Sequence, residues 1–169
     1  TQFPRLVIPL SVVLTAFFNL LLNLIIVFIF VLAWGVTPTW TWLLFPFALG
    51  LIAVFTAAVS MMLAVLYVRF RDVAIIWTVV SQVLFYATPV LYPLTVLKDQ
   101  TLERLMLINP LAPIFTEVQG WVINPDEPTA ANIAGGWYYL LPAVFLYIAT
   151  CAFSVWIFNR DAPRIAEEL

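Results

Sequence analysis

A stretch without any charged residue, between Arg5 and Arg69, constrains the fold of this chain more than any other feature. Two further stretches, residues 73–97 and 128–159, also lack charges. A charge at the centre of a spanning helix costs about 2.5–3.5 kcal/mol on insertion scales. A helix needs about 20 apolar residues to cross a bilayer. The first stretch is therefore long enough for two crossings, and each of the others for one.

The composition agrees with a chain that lies largely in a membrane. Hydrophobic residues make up 64% of it and charged residues 9%, with a mean hydropathy of +1.07, whereas about a quarter of a soluble domain is charged. We therefore predict an all-α integral membrane protein. The few basic residues give no face for binding nucleic acid. The chain has no histidine, the commonest general base and metal ligand, and we predict neither a catalytic residue nor a metal site.

The charge-free stretches place the helices. The sequence predicts four spanning helices, over residues 10–33, 42–68, 73–97 and 137–158. A tight turn around Gly35 and Pro38 separates the first two. The third is expected to reach about Leu97, with breaks near Pro89 and Pro93.

Two independent signals orient the helices. Four crossings place five arginines on one side of the membrane: Arg5, Arg69, Arg71, Arg160 and Arg164. The positive-inside rule makes that side cytoplasmic, so both ends of the chain are predicted to be cytoplasmic. Aromatic rings that favour the headgroup layer then cluster at the outer interface. They belong to Trp34, Trp40, Trp42, Trp137, Tyr138 and Tyr139.

Residues 98–136 form a predicted extracytoplasmic segment with short helices. Asp99 can cap a short amphipathic helix, and Asn109-Pro110 places a capping residue before a proline suited to a first helical turn. The apolar run 111–123 that follows is only about half of a membrane crossing. It is either an amphipathic surface loop or a re-entrant hairpin, since non-helical backbone enters a membrane only where protein or water shields it.

Other polar groups suggest little chemistry. No glycine begins a phosphate-binding G-x-x-x-x-G-K-[ST] pattern. Asp126-Glu127 lies beside prolines and is interpreted as solvated loop, and Glu103-Arg104 as a surface charge pair. Glu117 lies within the short apolar run, where a carboxylate is unfavourable unless it is paired or wet. It either faces solvent or lines a pathway.

Polar side chains within the predicted helices have two interpretations. Asn19 and Asn23 are four residues apart, on one face of the first helix. Ser81, Gln82 and Thr88 lie on the third. Such groups usually bond to another helix, and the alternative is that they line a polar pathway.

Several short motifs stand in a recognisable order. They are Phe3-Pro4-Arg5, Arg71-Asp72, Thr88-Pro89-Val90-Leu91-Tyr92-Pro93 and Asn109-Pro110-Leu111. Each is weak alone, but together, in order and approximate spacing over nearly the whole chain, they resemble the permease subunits of ABC polysaccharide exporters.

The resemblance implies a transport subunit rather than an enzyme. Such permeases carry O-antigen, teichoic acid or galactan chains, attached to lipid carriers, across the bacterial cytoplasmic membrane. Two permease copies pair with two separate ATPase subunits, which hold the ATP and Mg²⁺, so no cofactor is expected on this chain. Family members have six spanning helices, and residues 1–169 would then be a single permease domain lacking its N-terminal third.

The resemblance also assigns candidate regions. A cytoplasmic coupling helix precedes the F-P-R element in the family, so Phe3, Pro4 and Arg5 are expected close to the ATPase. Arg69, Arg71 and Asp72 contact the ATPase or a lipid pyrophosphate, or they anchor the topology with a local salt bridge. Asn109 and Pro110 would open the re-entrant outer helices, which also carry Glu117 and Trp121. The family often has an arginine in this short helix, whereas Glu117 and Gln119 occupy the region here.

A path for sugars needs polar shielding, since sugar hydroxyls lose hydrogen bonds in hydrocarbon. Aromatic faces can stack against the C–H faces of sugars. The candidate path residues are Asn19, Asn23, Trp77, Phe85, Tyr86, Thr88 and Tyr92, with Trp121 beside them. Each aromatic ring could equally face lipid or the protein core.

Other functions remain open at the level of sequence. One is an ABC exporter of a drug, haem or lipid with the same architecture. Another is a polytopic glycan transferase that uses Asp126 or Glu127, and a third is a membrane scaffold without turnover.

Overall fold

A computed structural model describes residues 7–70, 72–97, 99–124 and 126–165. Within these ranges the chain is helical and forms no strand, which confirms the all-α prediction. The α-helices are α1 (Val7–Ala33), α2 (Phe45–Arg69), α3 (Val73–Ala87), α4 (Gln100–Met106), α5 (Ala112–Val122), α6 (Ala130–Ala134) and α7 (Leu141–Ile165). Short 3₁₀ helices occupy Trp40–Leu44, Leu94–Leu97 and Trp137–Leu140.

Three helical runs among the described residues are long and apolar enough to cross a membrane. They are Leu10–Ala33, Trp40–Arg69 and Trp137–Arg160. Their bounds agree with the predicted first, second and fourth helices within two residues. Charge-free length was therefore a sufficient signal for these three elements.

The predicted third helix is wrong in its extent. Helix α3 ends at Ala87 rather than near Leu97, because Thr88 precedes Pro89 and takes an extended conformation (φ −102°, ψ 133°). Proline disfavours the α conformation in the residue before it, and it has no N–H to continue the helix. Fifteen residues give a helix of about 22 Å, shorter than a hydrocarbon core of about 30 Å. The count of four crossings stays a prediction.

Helices α2 and α7 pack side by side and run in the same direction. Near the start of both helices, Tyr147 Oη donates a hydrogen bond to Leu51 O over 2.8 Å, and its ring stacks on Phe55 with centroids 5.3 Å apart. Near the other end, Val65 and Phe158 share one buried cluster. The chain between α2 and α7 therefore returns from one end of the pair to the other.

Helix α1 completes the long-helix bundle. It packs on α2, where the Phe28 ring lies 5.1 Å from Trp42 and 5.3 Å from Phe45 between centroids. No residue in the apolar window of α1 is buried within this chain. Its apolar surface is thus free to face lipid or other helices.

The main buried core lies outside the long helices. We call residues 99–124 and 126–136, which carry α4, α5 and α6, the α4–α6 segment. Leu107, Ala112 and Ala134 of this segment are fully buried together with Leu94. The segment rests on the starts of α2 and α7: Thr41 Oγ1 donates to Trp121 O over 2.9 Å, and Leu140 packs against the core. It lies at the end of the bundle where α2 and α7 begin.

Candidate functional site at the end of α3

Two side chains just beyond α3 cap its last turn. A helix leaves its last four carbonyl groups without intrahelical partners. Thr88 Oγ1 donates to Leu84 O over 2.7 Å, and Tyr92 Oη donates to Tyr86 O over 2.9 Å. The threonine and the tyrosine of the Thr88–Pro93 motif therefore satisfy two of these four carbonyls.

Two amide side chains from the α4–α6 segment extend the cap. Asn109 Nδ2 lies 3.3 Å from Ala87 O and 2.9 Å from Thr88 Oγ1. Gln119 Nε2 donates to Pro89 O over 2.6 Å. We call Thr88, Tyr92, Asn109 and Gln119 together the α3 clasp; it joins α3 to a part of the chain that follows it by more than twenty residues.

Asn109 is held by the turn that leads into α5. Its Oδ1 accepts a hydrogen bond from the backbone N–H of Leu111 over 3.0 Å, and Ala112 N donates to Asn109 O over 3.1 Å. An asparagine whose side chain binds the backbone two residues onward forms a local turn. The oxygen of the amide thus fixes the start of α5, which leaves its nitrogen pointing at the end of α3.

The clasp is uncharged, and its threonine is buried whereas its other three side chains are half-buried. Thr88 is 3% exposed and Pro89 is fully buried, whereas none of the fifteen residues of α3 is buried. An unpaired carbonyl in an apolar environment costs several kcal/mol, so these side-chain donors stabilise the end of α3 next to the buried Thr88-Pro89 step. The clasp can hold a broken helix in place, but it offers no nucleophile or charged ligand.

Helix α6 is clamped by one charge at each end. Glu117 Oε1 accepts from Ala130 N over 2.9 Å at the start of α6. Arg104 Nε donates to Ala134 O over 2.8 Å at its end, and the guanidinium lies 4.0 Å from the centroid of the Tyr139 ring. An acid at the N-terminus and a base at the C-terminus both complement the helix dipole.

These contacts change how two charged residues are interpreted. Glu117 has a structural contact that neither sequence interpretation, solvent-facing or pathway-lining, included. Arg104, interpreted from the sequence as half of a surface pair with Glu103, instead binds the backbone thirty residues away. No local pattern could have indicated that contact, because it depends on how α4 and α6 pack.

An apolar groove of about 250 Å³ lies between α2, α5 and α7. It is lined by Leu51, Pro110, Pro113, Ile114, Leu140, Ala143, Val144 and Tyr147. Its surface suits hydrocarbon rather than a sugar or an ion, since polar groups without partners are unfavourable there. Pro110, predicted to open the re-entrant helices, forms part of this wall.

The predicted path residues fall into separate groups. Thr88 and Tyr92 belong to the clasp. Phe85 and Tyr86 are exposed near the end of α3, with ring centroids 5.5 Å apart, and Trp77 is half-buried on the same helix.

Asn19 and Asn23, which we call the asparagine stripe, lie on α1 rather than at the clasp. Asn19 and Asn23 are both exposed, and Asn23 Nδ2 donates to Asn19 O over 2.9 Å. This bond stays within the helix, so it does not decide between helix packing and a pathway.

The predicted coupling residues are only partly visible. Phe3, Pro4, Arg5 and Arg71 lie outside the described residues. Arg69 ends α2 with its guanidinium 5.7 Å from the Phe70 ring, and Asp72 is exposed immediately before α3.

Clusters for metal chemistry are not found in the part of the chain that the structure describes: no three His, Cys, Asp or Glu side chains come together there.

Gln119 and Arg104 make contacts at the site although the sequence did not single them out as site residues. The signal for Gln119 was weak: an amide within an apolar run, whose partner cannot be read from the sequence.

Known transporter proteins are similar to most of this chain. The family model of the ABC-2 type transporter membrane domain matches residues 2–121. The O-antigen export system permease protein RfbA of Myxococcus xanthus is 39% identical over 161 residues, covering 95% of this chain and 60% of that protein. Two proteins of the same name from Klebsiella pneumoniae are 29% and 31% identical, each covering 100% of this chain and 62% of the relative.

The chain thus spans about 60% of the length of the curated relatives it matches. The family match covers well over half of the chain and includes α1 to α3, the clasp and most of α5. The resemblance drawn from the short motifs is confirmed, and the chain belongs to the ABC-2 type transporter family of membrane proteins.

Proposed function

We propose that this chain forms most of the membrane-spanning permease of an ABC exporter that moves a lipid-linked polysaccharide across a bacterial cytoplasmic membrane. The proposal is supported by family membership and by the similarity to relatives named as O-antigen export permeases. ATP and Mg²⁺ would be bound by a separate ATPase subunit, and this chain would be a transport component rather than an enzyme.

The observation that carries the proposal is the clasped end of α3. Transporters often contain helices that stop within the membrane, and their backbone ends are tolerated only where protein or water shields them. Helix α3 is short, ends at a buried Thr88-Pro89 step, and is capped by Asn109 and Gln119. Two of the four motifs that resemble those of exporter permeases, residues 88–93 and 109–111, therefore meet at one place.

The topology supports a fourth crossing. Because α2 and α7 run in the same direction, the chain between them must return to its starting end. Helix α3 and the residues from Thr88 to Leu97 are the elements available for that return. We propose that the arginines near the ends of α2 and α7 are cytoplasmic and that Trp40 and Trp137 lie at the outer interface.

The exposed apolar surface supports further packing partners. Residues on α1 and α3 such as Ile25, Ile75 and Val79 are exposed in the isolated chain. We propose that lipid and a second permease copy cover these faces, with the glycan path beside them. The path would use the exposed aromatic rings of α3 and the asparagine stripe of α1.

The test begins with the full-length protein in mild detergent from its native membrane. An ATP-hydrolysing subunit is expected to purify with it at one-to-one stoichiometry. Inverted vesicles containing the pair should then take up a lipid-linked glycan only when ATP is present. Uptake of a small amphiphile instead would identify a different exporter, and glycan transfer without any ATPase would overturn the proposal.

A further inference from the structure

We propose that Asn109 and Gln119 are positioning residues that fix the outer end of α3 as a pivot. The proposal rests on the proposed exporter function, and it concerns how α3 moves during that cycle. Its basis is a difference between the two ends of one helix.

The end of α3 near Thr88 is held firmly. Thr88 and Pro89 are buried, and Leu94, a few residues further, belongs to the core of the α4–α6 segment. Asn109 and Gln119 bind two successive backbone regions at this point, Ala87 O and Pro89 O. Both donors are amides, which do not titrate, so the clasp does not depend on pH.

The α4–α6 segment that supplies these donors is itself tied to the bundle. Thr41, in the 3₁₀ helix before α2, donates to Trp121 O, and Arg104 lies against the ring of Tyr139, in the 3₁₀ helix before α7. Leu140 packs on the same core. The clasp therefore attaches α3 to the α2–α7 pair indirectly, through a folded segment.

The body of α3 has no comparable attachment. None of its residues is buried within this chain, and it packs against α2. Ile75, Ile76 and Val79 are exposed. The lipid and the second copy proposed to cover these residues would meet apolar side chains, which offer no directional bonds. A helix fixed by hydrogen bonds at one end and by apolar contacts along its length can tilt about the fixed end more easily than it can slide.

With the clasp as a pivot, movement of the cytoplasmic end of α3 has a defined effect on the rest of that helix. If an ATPase displaces the residues between Arg69 and Val73, α3 tilts about the clasp, and its middle moves relative to α1 and α2. The opening of a path would then depend on the rigidity of a joint that lies far from the ATPase.

The experiment measures distances at both ends of α3 in the full-length protein with its ATPase, in nanodiscs. In a background without native cysteines, which includes Cys151→Ala, one pair of spin labels replaces Val83 and Phe145 and a second pair replaces Ile76 and Val155, all exposed positions. Labelled protein is diluted with unlabelled protein so that only distances within one chain are read. We expect ATP to shift the Ile76–Val155 distance and to leave the Val83–Phe145 distance unchanged.

The clasp variant is Asn109→Leu combined with Gln119→Met, which replaces both amides with apolar side chains of similar length. The control is Gln100→Met, which removes an exposed amide at the start of α4, away from the clasp and from the proposed path. We expect the Val83–Phe145 distribution to broaden only in the clasp variant. Export per ATP hydrolysed should fall by about tenfold or more, since the variant loses the bonds to Ala87 O, Thr88 Oγ1 and Pro89 O and the net loss of one hydrogen bond changes an equilibrium by up to about tenfold. The control should stay close to wild type.

The outcomes separate the pivot from the exporter. The pivot would be overturned if, in wild type, ATP shifted the Val83–Phe145 distance as much as the Ile76–Val155 distance. It would also be overturned if the width of the Val83–Phe145 distribution were the same in the clasp variant as in wild type. If the variant does not assemble, the wild-type comparison of the two pairs still decides. Absence of glycan export in wild type would defeat the proposed function. The widths of the Val83–Phe145 distance distributions, measured without nucleotide in wild type and in the clasp variant, would still test whether the clasp holds α3.

Discussion

The long helices and the α4–α6 segment solve the same problem in opposite ways. Helix α1 satisfies its backbone internally and needs no neighbour in this chain, and no residue in its apolar window is buried. The helices of the α4–α6 segment span only 5 to 11 residues, yet the segment contains most of the fully buried side chains. Short helices have many unpaired backbone groups relative to their length, so they must be packed and capped by other residues.

The caps of the short helices show this dependence directly. Asp99 accepts from Thr101 N at the start of α4, and Thr129 accepts from Asn132 N at the start of α6. By contrast, Thr15 and Asn23 of α1 bond within that helix, to Ser11 O and Asn19 O. Side-chain changes should therefore affect the segment far more than the long helices, and the following predictions test that difference.

The largest effect is expected in the core of the segment. Leu107, which directly follows α4, is 0% exposed, whereas Leu105, near the end of that helix, is 63% exposed. Leu107→Ala should destabilise the segment by about 2–5 kcal/mol, because it removes buried methyl groups and leaves a cavity. Leu105→Ala serves as the matched control and should have little effect. Hydrogen exchange of α4–α6 amides in nanodiscs measures both, and equal protection in the two variants would contradict a packed core.

Glycine positions give the next contrast. Gly135 ends α6 with φ +83°, and a Cβ there would lie 3.0 Å from Arg104 Nη2. Gly135→Ala should destabilise the segment by about 1–2 kcal/mol, the cost of a left-handed conformation for an L-residue. Gly120 is within α5 with open space around it, so Gly120→Ala should stabilise by about 0.5–1 kcal/mol. Thermal unfolding followed by size-exclusion chromatography should show shifts of opposite sign.

Glu117 separates a structural role from a role in transport. Glu117→Leu leaves Ala130 N without its acceptor and should destabilise by about 1–3 kcal/mol. Glu117→Gln keeps an acceptor oxygen at the same position and should be close to wild type in stability. Vesicle export measured for Glu117→Gln then decides the matter: unchanged export indicates a cap, whereas lost export in a stable protein would show that the charge serves the pathway.

The sequence was most informative about the long helices. Three of the four predicted spans were found because length and absence of charge are sufficient for a helix that pairs its own backbone. The break near Pro89 was also visible, since proline acts locally on the residue before it. What failed was the expectation that the helix would resume: residues 94–97 form only a 3₁₀ turn that packs under α4.

The candidate site was predictable only in part, for a physical reason. Thr88, Tyr92 and Asn109 were selected from motifs, and they do meet at the end of α3. Three of the groups that they bind, Leu84 O, Tyr86 O and Ala87 O, are backbone carbonyls. Every residue has such a group, so no sequence pattern marks them. Gln119 reaches Pro89 O across thirty residues, and this contact depends on the packing of α5, which a short apolar run does not specify.

The smallest predicted effect sharpens the contrast within the long helices themselves. Ser154 on α7 is fully buried, and its hydroxyl has no hydrogen-bond partner within the described ranges. Ser154→Ala should therefore be neutral or stabilise by less than about 1 kcal/mol, because an unpaired buried hydroxyl is unfavourable. Tyr147→Phe, two turns earlier on α7, removes the bond to Leu51 O and should destabilise by about 0.6 kcal/mol, typical of hydrogen bonds between membrane helices.

Measurement of both variants by unfolding in mixed micelles gives the sign of each effect. Opposite signs would mean that the α2–α7 pair is stabilised by one specific bond among apolar contacts. A clear loss of stability in Ser154→Ala would instead mean that its hydroxyl is paired in the membrane. Water or a further helix would then reach between α2 and α7, and the long helices would depend on polar partners as the α4–α6 segment does.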